Sequence, residues 1–146
     1  MRIEIKIEPE CKELKILIVT DKMTGEVQEV MRRLSEDVPQ MLTGFRGDTL
    51  AILEQEDVIR IYAAGGKIFA ETEEGEYTLR LRLYELEERL DRNRFVRISN
   101  SEIVNLRKVQ KFDLSFSGTI CVTLSNGAVT YVSRRYMSKI KQVLGI

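Results

Sequence analysis

Two adjacent arginines, Arg134 and Arg135, begin the last segment of the chain, SRRYMSKIKQVLGI. Apolar residues recur there at the helical period, so the segment predicts a helix with Ser133 as its N-cap and Gly145 just beyond its end. A cation in the first turn opposes the helix dipole and costs an isolated helix ~0.3–1 kcal/mol. The same position is favourable when the helix end faces an anion, because free N–H groups point at it. The arginine pair therefore indicates an anion-binding helix end.

The charges of the chain are unevenly distributed. Residues 92–146 contain ten basic and two acidic side chains, a net charge of +8, and residues 1–91 carry −8, so that the whole chain is neutral. Such asymmetry indicates an anionic partner for the basic part. The alternative is that basic and acidic groups pair with each other, Arg134 and Arg135 with carboxylates such as Asp91 or Glu102.

Catalytic chemistry finds little support in the composition. The chain has no histidine, which removes histidine acid–base catalysis, catalytic triads and most zinc sites. The stretch AAGGK lacks the spacing of a phosphate-binding loop and predicts a hairpin turn. We therefore expect no enzyme activity, no metal and no cofactor. The two cysteines are far apart, no apolar run is long enough to span a membrane, and the N-terminus lacks a signal peptide, so we expect a cytoplasmic protein.

The elements that position these residues divide at about residue 44. Residues 2–8 and 14–20 alternate and predict strands, and an amphipathic helix is expected from Thr24 to Pro39, giving a β-β-α extension over 1–44. The stretch 40–47 has no clear period. Residues 45–146 change to short strands with glycine turns, an α+β, mainly β pattern. Strands are predicted over 49–54, 57–64, 67–72, 76–81, 95–99, 108–116, 119–125 and 128–133, with a helix over 83–90.

From about Phe45 onward the chain resembles the LytTR family of bacterial DNA-binding domains. Four landmarks in order carry the resemblance: LYELEERL, RFVRISNSEIVNL, the hairpin at Asn126-Gly127, and VSRRYMSKIK. The resemblance implies small stacked β-sheets beside a short helix and a C-terminal helix, with DNA read through loops and a helix end. One departure is Ser99, where many members have histidine.

Most members carry a receiver domain with a phosphorylated aspartate. Here Asp21 follows a predicted strand, but about 44 residues are too few for a receiver. The chain is similar to stand-alone regulators of the family, which implies a homodimer on DNA and an inhibitory membrane protein as a candidate partner. Residues 1–44 are expected to dimerise or to dock that partner.

The resemblance also implies roles for individual residues. Base contacts are expected from Lys67, Asn100 and Arg135, although Asn100 could instead cap its own turn and Lys67 could bind phosphate. Asn105 is expected to fix a turn. Phosphate contacts are expected from Arg97, Ser101, Lys108, Arg134 and Lys139, with a salt bridge at the edge of the core as the alternative role of Arg97.

Two functions follow as expectations. The first is a sequence-specific transcription regulator that reads direct-repeat promoter sites in double-stranded DNA. The alternative is a protein-interaction module with little DNA binding, whose basic groups are neutralised by Glu85, Glu87 and Glu88.

Overall fold

A computed structural model describes residues 1–36 and 41–146, and the chain forms two compact units, Met1–Asp37 and Val38–Ile146. In the first unit, helix α1 spans Gly25–Glu36. The Thr24 hydroxyl accepts a hydrogen bond from the Val27 N–H at 3.3 Å, which is the geometry of an N-cap. The predicted helix is thus confirmed, whereas its predicted end at Pro39 lies outside the described residues.

The two strands predicted in the first unit are wrong. Within residues 1–36, neither 2–8 nor 14–20 forms a strand. The alternating isoleucines Ile3, Ile5 and Ile7 are 80%, 87% and 85% exposed. An alternating pattern defines a face for burial, but a strand forms only when a neighbouring strand satisfies its backbone groups, and these residues have no such neighbour within the unit.

The second unit contains ten strands and two helices within residues 41–146, in agreement with the α+β, mainly β prediction. The helices are α2, Leu83–Arg89, and α3, Met137–Leu144. The strands are β1 Leu42–Arg46, β2 Thr49–Leu53, β3 Val58–Ala64, β4 Lys67–Thr72, β5 Gly75–Leu79, β6 Phe95–Ser99, β7 Glu102–Asn105, β8 Val109–Asp113, β9 Ile120–Leu124 and β10 Val129–Val132.

These strands form two antiparallel sheets. The larger has the order β2-β1-β5-β4-β3-β7-β6 and the smaller the order β10-β9-β8. Because side chains alternate between the faces of a strand, Ile103 and Val104 of β7 enter different cores. Ile103 packs towards α2 and its buried Leu86, whereas Val104 packs towards the smaller sheet and Ile140 of α3. The β3-β7-β6 part of the larger sheet is therefore covered on both faces. None of the described helices is long and apolar enough to cross a membrane.

Glycine turns set the register of the hairpins. Gly65 and Gly66, between β3 and β4, have φ angles of +57° and +77°, the left-handed pair that a tight two-residue hairpin turn requires. The predicted hairpin at Asn126-Gly127 is also present, but the Leu124 N–H bonds to the Ala128 carbonyl, and only Gly127 has a positive φ. Its loop is therefore the three-residue type with a glycine at the left-handed position.

The last helix differs from its prediction at its start and agrees at its end. A 3-10 turn, Arg134–Tyr136, precedes α3, and the Ser133 side chain makes no capping hydrogen bond. The prediction of a Ser133 N-cap is therefore wrong, because a 3-10 turn bonded through backbone atoms takes the place of the first helical turn. Gly145 ends the helix with φ +72°, as predicted.

Candidate nucleic-acid interface

The turn between β6 and β7 presents Asn100 and Ser101 at the surface. The Ser99 hydroxyl accepts a hydrogen bond from the Ser101 N–H at 3.2 Å. Arg97 donates from Nε to the Ser99 carbonyl at 3.0 Å and from Nη2 to the Asn100 carbonyl at 2.6 Å. The backbone of this turn is thus fixed by side chains, while the Asn100 side chain is exposed.

Arg97 is held from a third side as well. Its Nη1 lies 3.4 Å from Oε1 of Glu87 on α2, and its side chain is only 15% exposed. The salt bridge that the sequence offered as the alternative role of Arg97 is present. The guanidinium therefore faces the turn and α2.

The hairpin of β3 and β4 lies beside that turn. The Ala63 N–H donates to the Ser101 carbonyl at 2.8 Å, which joins the end of β3 to the start of β7. Lys67 is the first residue of β4 and pairs with Ala64 across the hairpin. Its side chain is exposed, next to two glycines that leave the backbone open to close approach.

The 3-10 turn ahead of α3 approaches the same place. The Ser133 N–H donates to the Ile98 carbonyl at 2.8 Å, and the Tyr136 hydroxyl donates to Oδ1 of Asn100 at 3.2 Å. The Arg135 guanidinium carbon lies 5.8 Å from the centroid of the Tyr136 ring. Asn100 therefore bonds to another segment, not to its own turn, and the asparagine and arginine predicted to contact bases share one tyrosine.

The carboxylates that could neutralise the arginines are engaged elsewhere. Oδ1 of Asp91 accepts from the Asn93 N–H at 2.9 Å. Glu102 is buried, and its Oε1 accepts from the Thr130 hydroxyl at 3.0 Å, a link between the two sheets. Burial raises the pKa of Glu102, opposed by the Thr130 hydrogen bond and by Arg60, whose Nη1 lies 3.8 Å from Oε2.

The exposed cations at this end of the second unit are accordingly unpaired. Within residues 41–146, no carboxylate lies within 4 Å of a charged nitrogen of Lys67, Arg134, Arg135 or Lys139, whereas Arg97 pairs with Glu87. Net positive charge thus accumulates on an exposed surface. We call the surface formed by Lys67, Asn100, Ser101, Arg134, Arg135 and Tyr136 the reading surface.

The remaining two predicted residues lie at different distances from the reading surface. Lys139 is exposed in the first turn of α3, one helical turn beyond Arg135. Lys108 lies past the other end of β7, about 13 Å along a four-residue strand, where its carbonyl accepts from the Ser125 N–H. The structure therefore brings Lys139, and not Lys108, to the predicted cluster.

Sequence reasoning missed Tyr136 and a pair of arginines. Tyr136 stands directly after Arg134-Arg135, yet only the fold shows that its hydroxyl meets Asn100. Arg80 and Arg82 line a cleft with Lys67. The alternation in TLRLRL was an available signal, because it places both arginines on one side of an extended segment.

Comparison with known proteins identifies the family of the chain. Residues 48–145 match the family model of the LytTr DNA-binding domain. Two relatives from Staphylococcus aureus, strains MSSA476 and NCTC 8325, are 35% identical over 147 residues, which cover 100% of this chain and 99% of each relative. Both carry the description uncharacterized HTH-type transcriptional regulator. A solved LytTr DNA-binding domain, of a methyl-accepting/DNA response regulator from Bacillus cereus, matches with a TM-score of 0.70 and 25% identity. The match covers 73% of this chain and 97% of that one.

A mainly β domain that carries unpaired cations beside an exposed amide suits an anionic partner, and the family match identifies the class as DNA-binding domains. The chain belongs to the LytTr DNA-binding domain family, which makes it a DNA-binding regulator.

Proposed function

We propose that this protein is a sequence-specific transcription regulator that binds duplex promoter DNA in the cytoplasm. The observation that carries the proposal is the reading surface itself, in which turns distant in sequence meet at one end of the larger sheet. Two backbone hydrogen bonds, Ala63 to Ser101 and Ser133 to Ile98, hold those turns together. Unpaired basic side chains on turns whose backbones are bonded together suit an anionic partner.

Base contacts are assigned to the three exposed side chains for which the family resemblance implies them. Arg135 can bind O6 and N7 of guanine with two parallel hydrogen bonds, worth about 1–3 kcal/mol of discrimination. Asn100 can donate to N7 and accept from N6 of adenine, because its Oδ1 keeps a lone pair beside the Tyr136 bond. Lys67 reaches a base edge from the neighbouring hairpin.

Phosphate contacts are assigned to residues around these three. Ser101, Arg134 and Lys139 set the register of the domain on the duplex, because phosphate contacts position a protein without reading sequence. Lys108 would touch an outlying phosphate. For Arg97 we favour an indirect contribution through the turn that it holds, because its guanidinium is largely buried.

The test of this function is a selection of bound sequences from random duplex DNA at physiological salt. We expect two similar half-sites in direct repeat. Affinity should fall steeply with salt, with a log–log slope of about −0.9 for each of about 4–6 phosphates neutralised. Equal affinity for every duplex, or a slope near zero, would refute a sequence-specific regulator.

Substitutions at two neighbouring residues distinguish a base contact from a phosphate contact. Arg135→Ala should cost about 1–3 kcal/mol on the selected site and relax preference at one base pair. Arg134→Ala should weaken all sequences alike and reduce the salt slope by about one. Lys111→Ala, which removes an exposed cation of β8, is the matched control and should change neither quantity. If Arg135→Ala lowers stability but leaves base preference intact, Arg135 is a structural residue.

For residues 1–44 we propose a role in dimerisation on paired half-sites. The exposed isoleucines Ile3, Ile5 and Ile7 support it, because apolar side chains in register suit an interface. Replacing all three by serine in the full chain should weaken binding to paired half-sites far more than to a single one. The control replaces the alternate residues Glu4, Lys6 and Glu8 by serine. Equal losses on both duplexes would argue against dimerisation.

The same isoleucines favour a second candidate function, a module that binds a regulatory protein, a membrane-bound inhibitor included. In that case the selection would recover no preferred sequence, and the serine variant would lose the protein partner without any change in DNA affinity.

A further inference from the structure

A basic cleft adjoins the predicted DNA contacts and shares Lys67 with them. It has a volume of about 340 Å³ and is lined by the start of β4, the end of β5 and the link from β5 to α2. Three cationic residues, Lys67, Arg80 and Arg82, contribute to its walls. We call it the β4–β5 cleft.

The cations of the cleft are available for an external anion. In the part of the chain that the structure describes, none of the three forms an ion pair with a carboxylate. Glu85 is close in sequence, but its Oε1 accepts from the backbone N–H of Arg82 at 3.2 Å. All three cationic residues are exposed. Like charges gathered without counter-charges repel each other, and a bound anion relieves that repulsion.

Arg80 is also held in place. Its guanidinium carbon lies 4.2 Å from the centroid of the Phe45 ring, which is a cation–π contact. A guanidinium fixed on a ring loses less rotational freedom when it binds, and its planar fork matches two phosphate oxygens. The cleft thus combines an arginine that is held on a ring with two cations that have no ring contact among the described residues.

The register of the larger sheet places the cleft relative to the reading surface. Ile68 pairs with Leu79 and Lys67 with Ala64, so the end of β5, the start of β4 and the end of β3 lie side by side. The Ala63–Ser101 hydrogen bond continues this row to β7. With strands about 4.8 Å apart, β5 lies about 14 Å from β7 along the same edge of the sheet.

That separation fits the dimensions of duplex DNA. The major groove is about 12 Å wide and is bordered by the two phosphate backbones. When Asn100 reaches bases within the groove and the sheet edge runs across it, a side chain about 14 Å away lies beyond the width of the groove, at the level of a phosphate backbone.

We propose that the β4–β5 cleft binds a backbone phosphate of the same duplex, with Arg80 and Arg82 as its ligands and Lys67 between this phosphate and the bases. The proposal rests on the proposed function. It extends the DNA contact by residues that add affinity and register without adding base preference.

The test compares two double variants of the full-length protein. Arg80→Gln with Arg82→Gln removes two cations from the cleft, and Arg89→Gln with Arg92→Gln removes two exposed cations from the far end of α2 and the residues after it. Affinity for the selected duplex and for a scrambled duplex is measured at several salt concentrations. We expect the cleft variant to reduce the salt slope by about one to two on both duplexes and to keep its base preference. The control should keep the wild-type slope.

A scan with single methylphosphonate substitutions, which neutralise one phosphate at a time, locates the contact. A methylphosphonate at one flanking position should weaken binding by the wild type and leave binding by the cleft variant unchanged. Arg82→Gln alone repeats the experiment if the double variant loses stability with the Arg80–Phe45 contact, because no ring contact involves Arg82 in the described residues.

Three outcomes would overturn the assignment or its premise. If the cleft variant matches the control in slope and in the scan, the cleft does not bind DNA although the regulator does. If inorganic phosphate raises the melting temperature of the wild type only, and the salt slopes agree, the cleft binds a small free anion. If the wild type itself shows neither base preference nor a salt slope, the proposed function has failed, and the cleft proposal fails with it.

Discussion

Arg97→Lys is the substitution that best separates holding a turn from binding a phosphate. Arginine donates to the carbonyls of Ser99 and Asn100 at 3.0 and 2.6 Å and lies 3.4 Å from the Glu87 carboxylate. Lysine carries the same charge on a single nitrogen, which cannot occupy all three positions. The substitution therefore removes the hydrogen-bonding geometry of the guanidinium and keeps its positive charge.

The expected magnitude follows from these contacts. A hydrogen bond from a charged donor contributes about 1.5–3 kcal/mol, and the lysine loses at least one of the two bonds to carbonyls. Because the turn is at the surface, water can replace part of the lost bond, which leaves about 1–2 kcal/mol. A loss of 1.4 kcal/mol in the arrangement of Asn100 corresponds to about tenfold weaker binding to the selected duplex.

Fluorescence anisotropy on the selected and on a scrambled duplex, at several salt concentrations, measures this effect. We expect Arg97→Lys to lose about tenfold on the selected duplex, little on the scrambled one, and none of the salt slope. Arg134→Lys is the matched control, because an exposed cation that binds phosphate should tolerate the exchange on both duplexes. If Arg97→Lys binds like the wild type while Arg97→Gln lowers the salt slope by about one, Arg97 binds phosphate and the argument from its hydrogen bonds is wrong.

Three further predictions concern the support of the reading surface. Tyr136→Phe removes the hydroxyl that donates to Asn100, and should reduce discrimination at one base pair by about 0.5–1.5 kcal/mol in competition assays without a change of salt slope. Asn105→Ala should lower the free energy of unfolding in urea by about 2–4 kcal/mol, because its buried amide donates to the Val58 carbonyl at 2.8 Å and accepts from a backbone N–H at 3.0 Å. The base preference of Asn105→Ala should be unchanged. A decrease of less than about 1 kcal/mol in its free energy of unfolding would contradict the prediction. Burial raises the pKa of Glu102, so the folded protein holds its proton to higher pH than the unfolded chain, and stability falls as pH rises through that interval. The free energy of unfolding of Glu102→Gln, measured in urea titrations, should therefore increase relative to that of the wild type as pH rises. A decrease relative to the wild type over the same pH range would refute this prediction.

Most strands could be predicted because each has one face that sequence alternation reveals. The exceptions are informative. Strand β7, EIVN, is buried at all four positions, so its glutamate and asparagine point inward and the alternation disappears. Strand β1 contains Gly44, and a Cβ there would lie 2.8 Å from Leu53 Cδ1 and 2.9 Å from Tyr77 Cβ. Glycine, which usually indicates a break, here permits a close approach within a sheet.

The residues of the proposed site could be nominated individually from the sequence, but their arrangement could not. A resemblance of motifs nominated Asn100 and Arg135, and helix-end chemistry drew attention to the arginines. Whether Arg97 faces outward depends on the position of Glu87 on α2, which no local pattern contains. The order β5-β4-β3-β7-β6 makes residues near positions 67, 80 and 100 neighbours, and that order results from tertiary packing.

The arrangement also explains why two arginines occupy a helix start that repels them. In the free protein their charges are opposed by the helix dipole and have no carboxylate partner among the described residues of the second unit. The fold tolerates them because their turn is held by other means: the Ser133 backbone bonds to β6, and Tyr136 bonds to the β6–β7 turn. Under the proposed function these bonds exist before DNA arrives, so the backbone that carries the arginines and the side chain of Asn100 are already placed, and binding loses less conformational entropy. Charge repulsion in the free domain and attraction in the proposed complex then act in the same direction, towards the DNA-bound state.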